Sequence, residues 1–338
     1  MSAGMVLPTL RSGAVYRMGM KPACRGRVFV AEAAVRSKLS IHMTRSGVAA
    51  ALFAALGMAS MAAQAGGVLD RIKSGGHLVL AHRDASIPFS YLDAEGKPVG
   101  YALDLCLRLA EVIRKKAGVR DMPIDYVKVT AADRIDTIVQ GKADMECGST
   151  TNNAERREKV AFTVPHFIVG ARILVRSGSA VARLEDLSGK IVVSTKGTTP
   201  LKVMDQLNRQ HLLNLKITEA ADHQQALQMV AQGKADAFVM DDVLLFGLIA
   251  SSPTPADYKV VGRYMTTEPL AIMLPKGDVA LKQLVDEEMK RLITSRDIYP
   301  IYERWFMRPI PPANVALNLP VSYLLKDFWK YPTDQVPF

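Results

Sequence analysis

From Gly75 onward, short apolar runs bounded by turn residues alternate with stretches of helical periodicity. His77-Leu78-Val79-Leu80-Ala81-His82 follows Gly75-Gly76 and predicts a buried strand. Between Tyr101 and Lys116, Leu103, Leu105, Leu107, Leu109, Val112 and Ile113 recur near helical spacing, and Gly118 supplies a stop. Ile124 to Val129 predicts a second strand, and Ala131 to Gln140 a helix with Arg134 in its first turn and Ile135, Ile138 and Val139 facing inward. Further strands are predicted at Ala171 to Arg176, Lys190 to Ser194, Leu215 to Thr218, Phe238 to Met240 and Leu270 to Leu274. Helices are predicted at Leu201 to Leu207, Asp222 to Ala231, Val243 to Ala250, Val279 to Arg296 and Ile301 to Phe306. The final segment, rich in proline and aromatics, is expected to wrap back onto the body of the protein.

Strands alternating with helices imply sheets covered on both faces, which place ligands outside the carboxyl ends of strands. Gln140-Gly141-Lys142-Ala143-Asp144 recurs at Gln232-Gly233-Lys234-Ala235-Asp236, each time between a helix and a short strand. Recurrence in matching context predicts two lobes of similar construction. Arg83, Ser149, Thr198 and Asp241 all fall at carboxyl ends of predicted strands.

The stretch from Glu146 to Arg156 crowds Gly148, three hydroxyls, two amides and an arginine together. Such a set suits a small anion, with Arg156 offering a planar fork to a carboxylate. It reads equally as a polar turn capping a helix. Thr195-Lys196-Gly197-Thr198-Thr199-Pro200 opens a predicted helix and is a second anion site, or a plain turn. Asp241 and Asp242 also read as helix N-caps, and His223 as a residue at a helix start.

Charge changes the picture only at the front. Of the 43 lysines and arginines, eight lie in residues 1–65, where Glu32 is the sole acid; the other 35 face 32 acids. An excess of three is too small to make nucleic acid the expected partner. Residues 1–42 lack the periodicity of a domain, whereas Met43 opens a leader with Arg45, an apolar run from Val48 to Met61, and Ala63-Gln64-Ala65. We expect a signal peptide starting at Met43 and cleaved after Ala65, hence export. Cys106 and Cys147 then remain; two cysteines in so long a chain do not define a disulfide scaffold, and Cys147 reads as a buried packing residue. No Cys and His spacing resembles a zinc site, so neither metal nor cofactor is expected.

His82-Arg83 with Pro88-Phe89-Ser90-Tyr91, Glu146 to Asn153, Gly197-Thr198-Thr199, Asp222-His223, Met240-Asp241-Asp242 and Pro309-Ile310-Pro311-Pro312 together resemble the periplasmic solute-binding proteins of amino-acid ABC transporters. The resemblance covers about residues 68–320 and is greatest to the glutamate/aspartate binders. It implies an α/β, two-lobed type II periplasmic-binding fold with a cleft between lobes. Residues 66–168 would form the first part of lobe I, 169–267 lobe II, and 268–338 the return to lobe I and the tail, with hinges near 167–170 and 266–270. It also implies that Arg156, Ser149 and donors near Thr151 and Thr199 meet an α-carboxylate and Asp241 the α-ammonium, with Thr198 also at the ligand. Arg83 and Arg134 would clamp a side-chain carboxylate, and His223 would add a polar contact. A monomeric, non-catalytic protein serving a membrane permease is the expectation. The alternative is an enzyme of the same fold, such as a dehydratase using Glu146 and His223. One departure is visible: Ala131 stands where the acidic binders carry a serine, a lost hydroxyl worth roughly 1 to 3 kcal/mol unless water replaces it.

Overall fold

The computed structural model describes residues 67–336. The expected leader, including Met43 and Ala65, lies outside the described residues, as does Cys24. Two five-stranded sheets carry the rest. In the first, strands run in the order Ile124–Lys128, Leu78–His82, Met145–Glu146, Met273–Pro275, Val160–Phe162. The first three are parallel, and Met273–Pro275 is antiparallel to both its neighbours. The second sheet repeats this plan: Lys216–Ala220, Ile191–Thr195 and Ala237–Asp241 are parallel, and Ala171–Arg176 is antiparallel to its neighbours Ala237–Asp241 and Tyr258–Val261.

The pentapeptide repeat marks the same joint in both sheets. Asp144 N–H donates to the Val79 carbonyl at 2.9 Å, and its carboxylate accepts from Val79 N–H at 2.8 Å. Asp236 does the same with Ile191, both bonds at 2.8 Å. In each case a short side chain closes the ladder where the incoming strand starts, so the helix-to-strand turn is pinned to the sheet's first strand.

The chain passes between the sheets twice, and the crossings pair with each other. Phe167–Val169 and Glu268–Leu270 form an antiparallel ribbon at the two segments expected to be hinges. The expected single strand from Leu270 to Leu274 is thereby divided into Glu268–Leu270 and Met273–Pro275, because one half serves the ribbon and the other the first sheet. Phe167 stacks on Tyr302 and Phe306, with ring centroids 5.8 and 4.9 Å apart, which ties the ribbon to the helix Ile298–Phe306. The tail does fold back: Leu325 and Trp329 are buried, and Trp329 meets Tyr299 and Tyr302 edge-on.

Several boundaries differ from the periodicity. The helix expected from Ala131 begins at Arg134, because Thr130 Oγ1 accepts from the Ala132 and Asp133 N–H groups and holds the preceding residues in a turn. Val139, expected to face inward there, is exposed. The helix expected over Leu201 to Leu207 runs from Thr199 to His211, its outer turns being polar.

His166, at the mouth of the ribbon, is fully buried among Phe89, Tyr101 and Phe167, and neither ring nitrogen has a partner among the described residues. Burial alone lowers its pKa from the usual 6.5 to about 3. Between those values the unfolded chain binds the extra proton, so stability falls as pH drops from about 6.5 toward 3, by about 1.4 kcal/mol per pH unit from this one residue. His166→Phe is expected to remove that increment from the pH slope of urea-unfolding free energies measured at several pH values in this window. An unchanged slope would show that His166 is not the acid-sensitive group.

Candidate functional site

Four carboxyl ends of strands face one another between the sheets. Arg83 follows Leu78–His82, Ser149 and Thr151 follow Met145–Glu146, Thr198 and Thr199 follow Ile191–Thr195, and Asp241 ends Ala237–Asp241. Arg134 reaches the same space from the first residue of its helix, as does His223. Eight of the nine residues expected at the site, namely Arg83, Arg134, Ser149, Thr151, Thr198, Thr199, His223 and Asp241, line one small cavity. The space open to water inside it is about 10 Å³, room for no more than about one water molecule, so the walls stand close around these groups.

Arg156, the ninth, stands behind this wall. Its Nη1 donates to the Thr151 carbonyl at 2.9 Å and its Nη2 to the Gly197 carbonyl at 3.2 Å, so one guanidinium joins the two sides of the cleft. Rather than sitting in a solvated charged helix it is buried, its backbone N–H capped by Asn153 Oδ1. Thr199 Oγ1 crosses the same gap to Thr151 Oγ1 at 3.2 Å, and Lys202 reaches Glu155 at the surface. Gly197, at φ +78°, makes the approach possible: a Cβ there would lie 2.6 Å from the Ala131 carbonyl oxygen and from Ala132 Cα. Ala131, at the departure noted above, is thus part of the wall against which Gly197 closes.

The three arginines are almost wholly withdrawn from water. Arg83 and Arg156 are lowered to about 10, first by burial and then by the positive charge of Arg134, which is itself lowered by burial. Arg83 Nε and Nη1 and Arg134 Nε have no acceptor among the described residues. Asp241 is pushed well above the carboxylate range by burial and by the charges of Glu268 and Asp242, against the pull of Arg134 and Arg156. Its Oδ1 has no donor among the described residues, and it makes no side-chain cap to the following helix. His223 is held well below 6.5 by burial and by Arg83 and Arg134, so its ring is neutral. Its Nδ1 meets Thr195 Oγ1 at 2.7 Å and its Nε2 has no partner among the described residues; Asp222, not His223, caps the helix.

Not every expected donor is free. Thr198 Oγ1 donates to the Thr195 carbonyl at 2.6 Å, and Thr151 Oγ1 donates to Glu268 Oε2 at 2.7 Å. Two buried carboxylates stand where the sequence balanced three arginines with a single aspartate. Glu146, weighed only as an acid for catalysis, accepts from Thr150 Oγ1 at 2.7 Å and leaves Oε1 beside Gly148, where a Cβ would fall 2.2 Å from it. Glu268, missed altogether, accepts from Thr151 and Thr266. Its only sequence signal was an acid directly ahead of an apolar run at the second crossing. Cys147 is buried, as expected, and is also bonded to Cys106 of the helix Tyr101–Ala117, tethering the site loop one residue before Gly148.

Two similar α/β lobes joined by a two-stranded crossing, with buried polar groups facing each other between them, define a solute-binding protein. The chain belongs to the bacterial extracellular solute-binding proteins, family 3, which residues 78–308 match. It is 41% identical to the L-glutamate/L-aspartate-binding protein of Pseudomonas aeruginosa, over 80% of this chain and 89% of that protein. It is 37% identical to the glutamate/aspartate import solute-binding protein of Escherichia coli, over 85% of this chain and 96% of that protein. Among solved structures, an ancestral arginine-binding protein bound to arginine superposes with a TM-score of 0.60 at 28% identity, over 68% of this chain and 98% of that one. The cysteine-binding protein of Campylobacter jejuni gives 0.62 at 25%, over 71% and 92%. The fold is therefore of the type II periplasmic-binding kind, and these relatives are binding proteins rather than enzymes. Among the described residues no group of three or more His, Cys, Asp or Glu could hold a metal, and no helix is long and apolar enough to cross a membrane.

Proposed function

We propose that the protein captures L-glutamate or L-aspartate between its lobes and presents it to the membrane permease of an ABC transporter. The observation that carries this is the set of orphaned polar atoms in one cavity: arginine donors on one side and an aspartate acceptor on another. An unpaired buried polar group costs about 1 to 3 kcal/mol, and more when charged, so a ligand is favoured that supplies carboxylate oxygens to Arg83 and Arg134 and an ammonium to Asp241. The names of the relatives point to the same two amino acids. Ser149, Thr199, Arg156 and the backbone donors near Thr151 would meet or support the α-carboxylate, the Thr151 hydroxyl, whose proton is directed to Glu268, would accept from the α-ammonium, Thr198 would shape the surroundings, and His223 would add a neutral contact.

Lobe I then comprises residues 66–168 and 268–338 and lobe II residues 169–267, with closure at the ribbon. The protein acts as a monomer in the periplasm, after removal of the leader. A buried disulfide supports that compartment, since such bonds persist where the surroundings oxidise.

At a hundred times its dissociation constant, either acid is expected to stabilise the protein by about 2.7 kcal/mol, seen as a raised melting temperature. L-glutamine and L-lysine, which leave arginine charge uncompensated or add to it, should give no shift at the same concentration. Absence of a shift with both acids would reject the assignment.

A further inference from the structure

Glu268 lies on the return crossing and is 2% exposed. An ionised carboxylate only accepts hydrogen bonds, and both of its oxygens are taken by hydroxyls: Oε1 by Thr266 Oγ1 and Oε2 by Thr151 Oγ1, each at 2.7 Å. Each hydroxyl, its one proton directed to Glu268, has only lone pairs left to offer other partners. Thr266 Oγ1 uses one to accept the N–H of Ala171, at the end of the outgoing crossing, at 2.8 Å. Thr151 Oγ1 uses one to accept from Thr199 Oγ1, across the cleft, at 3.2 Å. One carboxylate thus orders a continuous run of donors from hinge to cleft, and Thr151 itself lines the cavity.

We propose that Glu268 is a positioning residue for ligand capture: from the hinge it dictates the direction of the Thr151 hydroxyl, so that Thr151 presents an acceptor to the ligand and to Thr199. The proposal rests on the amino-acid-binding function inferred above. A Thr151 that accepts favours the α-ammonium side of an amino acid and receives Thr199 only when the lobes have come together. Glu268 therefore couples closure to the polarity of the site without touching the ligand.

Glu268→Gln keeps the shape and replaces one accepting oxygen with a donating NH2 group, which frees the Thr151 proton to turn toward the cavity. Calorimetric titration of L-glutamate and L-aspartate into the mature protein should show affinity for the better acid weakened about tenfold or more. In a Thr151→Val background, where there is no hydroxyl to direct, the same substitution should cost less than about twofold. Glu268→Asp keeps the charge but lacks the reach to hold both hydroxyls, and should lose affinity like Glu268→Gln. Melting temperatures of the unliganded variants check folding. Equal losses with and without the Thr151 hydroxyl, undiminished affinity in Glu268→Gln, or wild-type affinity in Glu268→Asp would each overturn the proposal. Failure of the unaltered protein to bind either acid would instead remove the functional reading on which it rests.

Discussion

Arg83→Met is expected to weaken binding of L-glutamate and L-aspartate by about two to three orders of magnitude while leaving the unliganded protein at least as stable. The two effects share one cause. Truncating one member of a buried, hydrogen-bonded charge pair costs about 2 to 5 kcal/mol of binding, because the other charge is left desolvated without its partner. In the unliganded protein that same guanidinium lacks a partner for part of its fork: it is 1% exposed, Nε and Nη1 have no acceptor among the described residues, and burial first, then the charge of Arg134, lowers it to about 10. An apolar side chain of similar length removes a buried charge with two donors that find no acceptor among the described residues, and replacing such charges by packed hydrophobes is often neutral or stabilising. Calorimetric titration together with melts in the presence and absence of ligand would read both effects. A variant that binds either acid as tightly as the unaltered protein would place Arg83 outside the ligand's reach. A variant whose unliganded melting temperature falls by many degrees would make Arg83 a structural residue, held by the charge of Glu146.

What could be read along the chain was local chemistry, and what could not was pairing at a distance. The repeated Gln-Gly-Lys-Ala-Asp segments announced two equivalent joints because everything they do is done within a turn and one neighbouring strand, as Asp144 and Asp236 show. The carboxyl ends of strands located Arg83, Ser149, Thr198 and Asp241 for a similar reason: ligand position follows from strand direction. Glu268 escaped because its meaning lies in Thr151, 117 residues earlier, and no periodicity connects a hinge acid with a hydroxyl in the loop after Met145–Glu146. Thr198 looked like a free donor because its acceptor is a backbone carbonyl three residues back, which side-chain pattern does not reveal. Arg156 was legible as a charge for the cleft but not as a bridge between two carbonyls on opposite sides of it.

The disulfide was illegible in the same way, and it leads to the largest stability change we expect. Cys106 and Cys147 are separated by 41 residues and both are fully buried, one on the helix Tyr101–Ala117 and the other leaving the strand Met145–Glu146. Closing a loop of that length removes chain entropy from the unfolded state worth about 4 kcal/mol. The double substitution Cys106→Ala and Cys147→Ala should therefore lower unfolding free energy by about 3 to 4 kcal/mol, seen as a fall of roughly 10 °C in melting temperature. Reductant should lower the unaltered protein by a similar amount once its buried bond is reached, and should leave the double variant unmoved. Ligand affinity should fall far less than it does on losing Arg83, because Cys147 N–H still donates to the Ala81 carbonyl at 2.9 Å and Thr150 still holds Glu146, so the site loop keeps its own anchors when the covalent one is gone. If the double variant melts with the unaltered protein, the crosslink restrains no part of the unfolded chain that matters. If instead its affinity collapses along with its stability, the bond to the helix, rather than the backbone pairing, is what holds Gly148 to Thr151 in place.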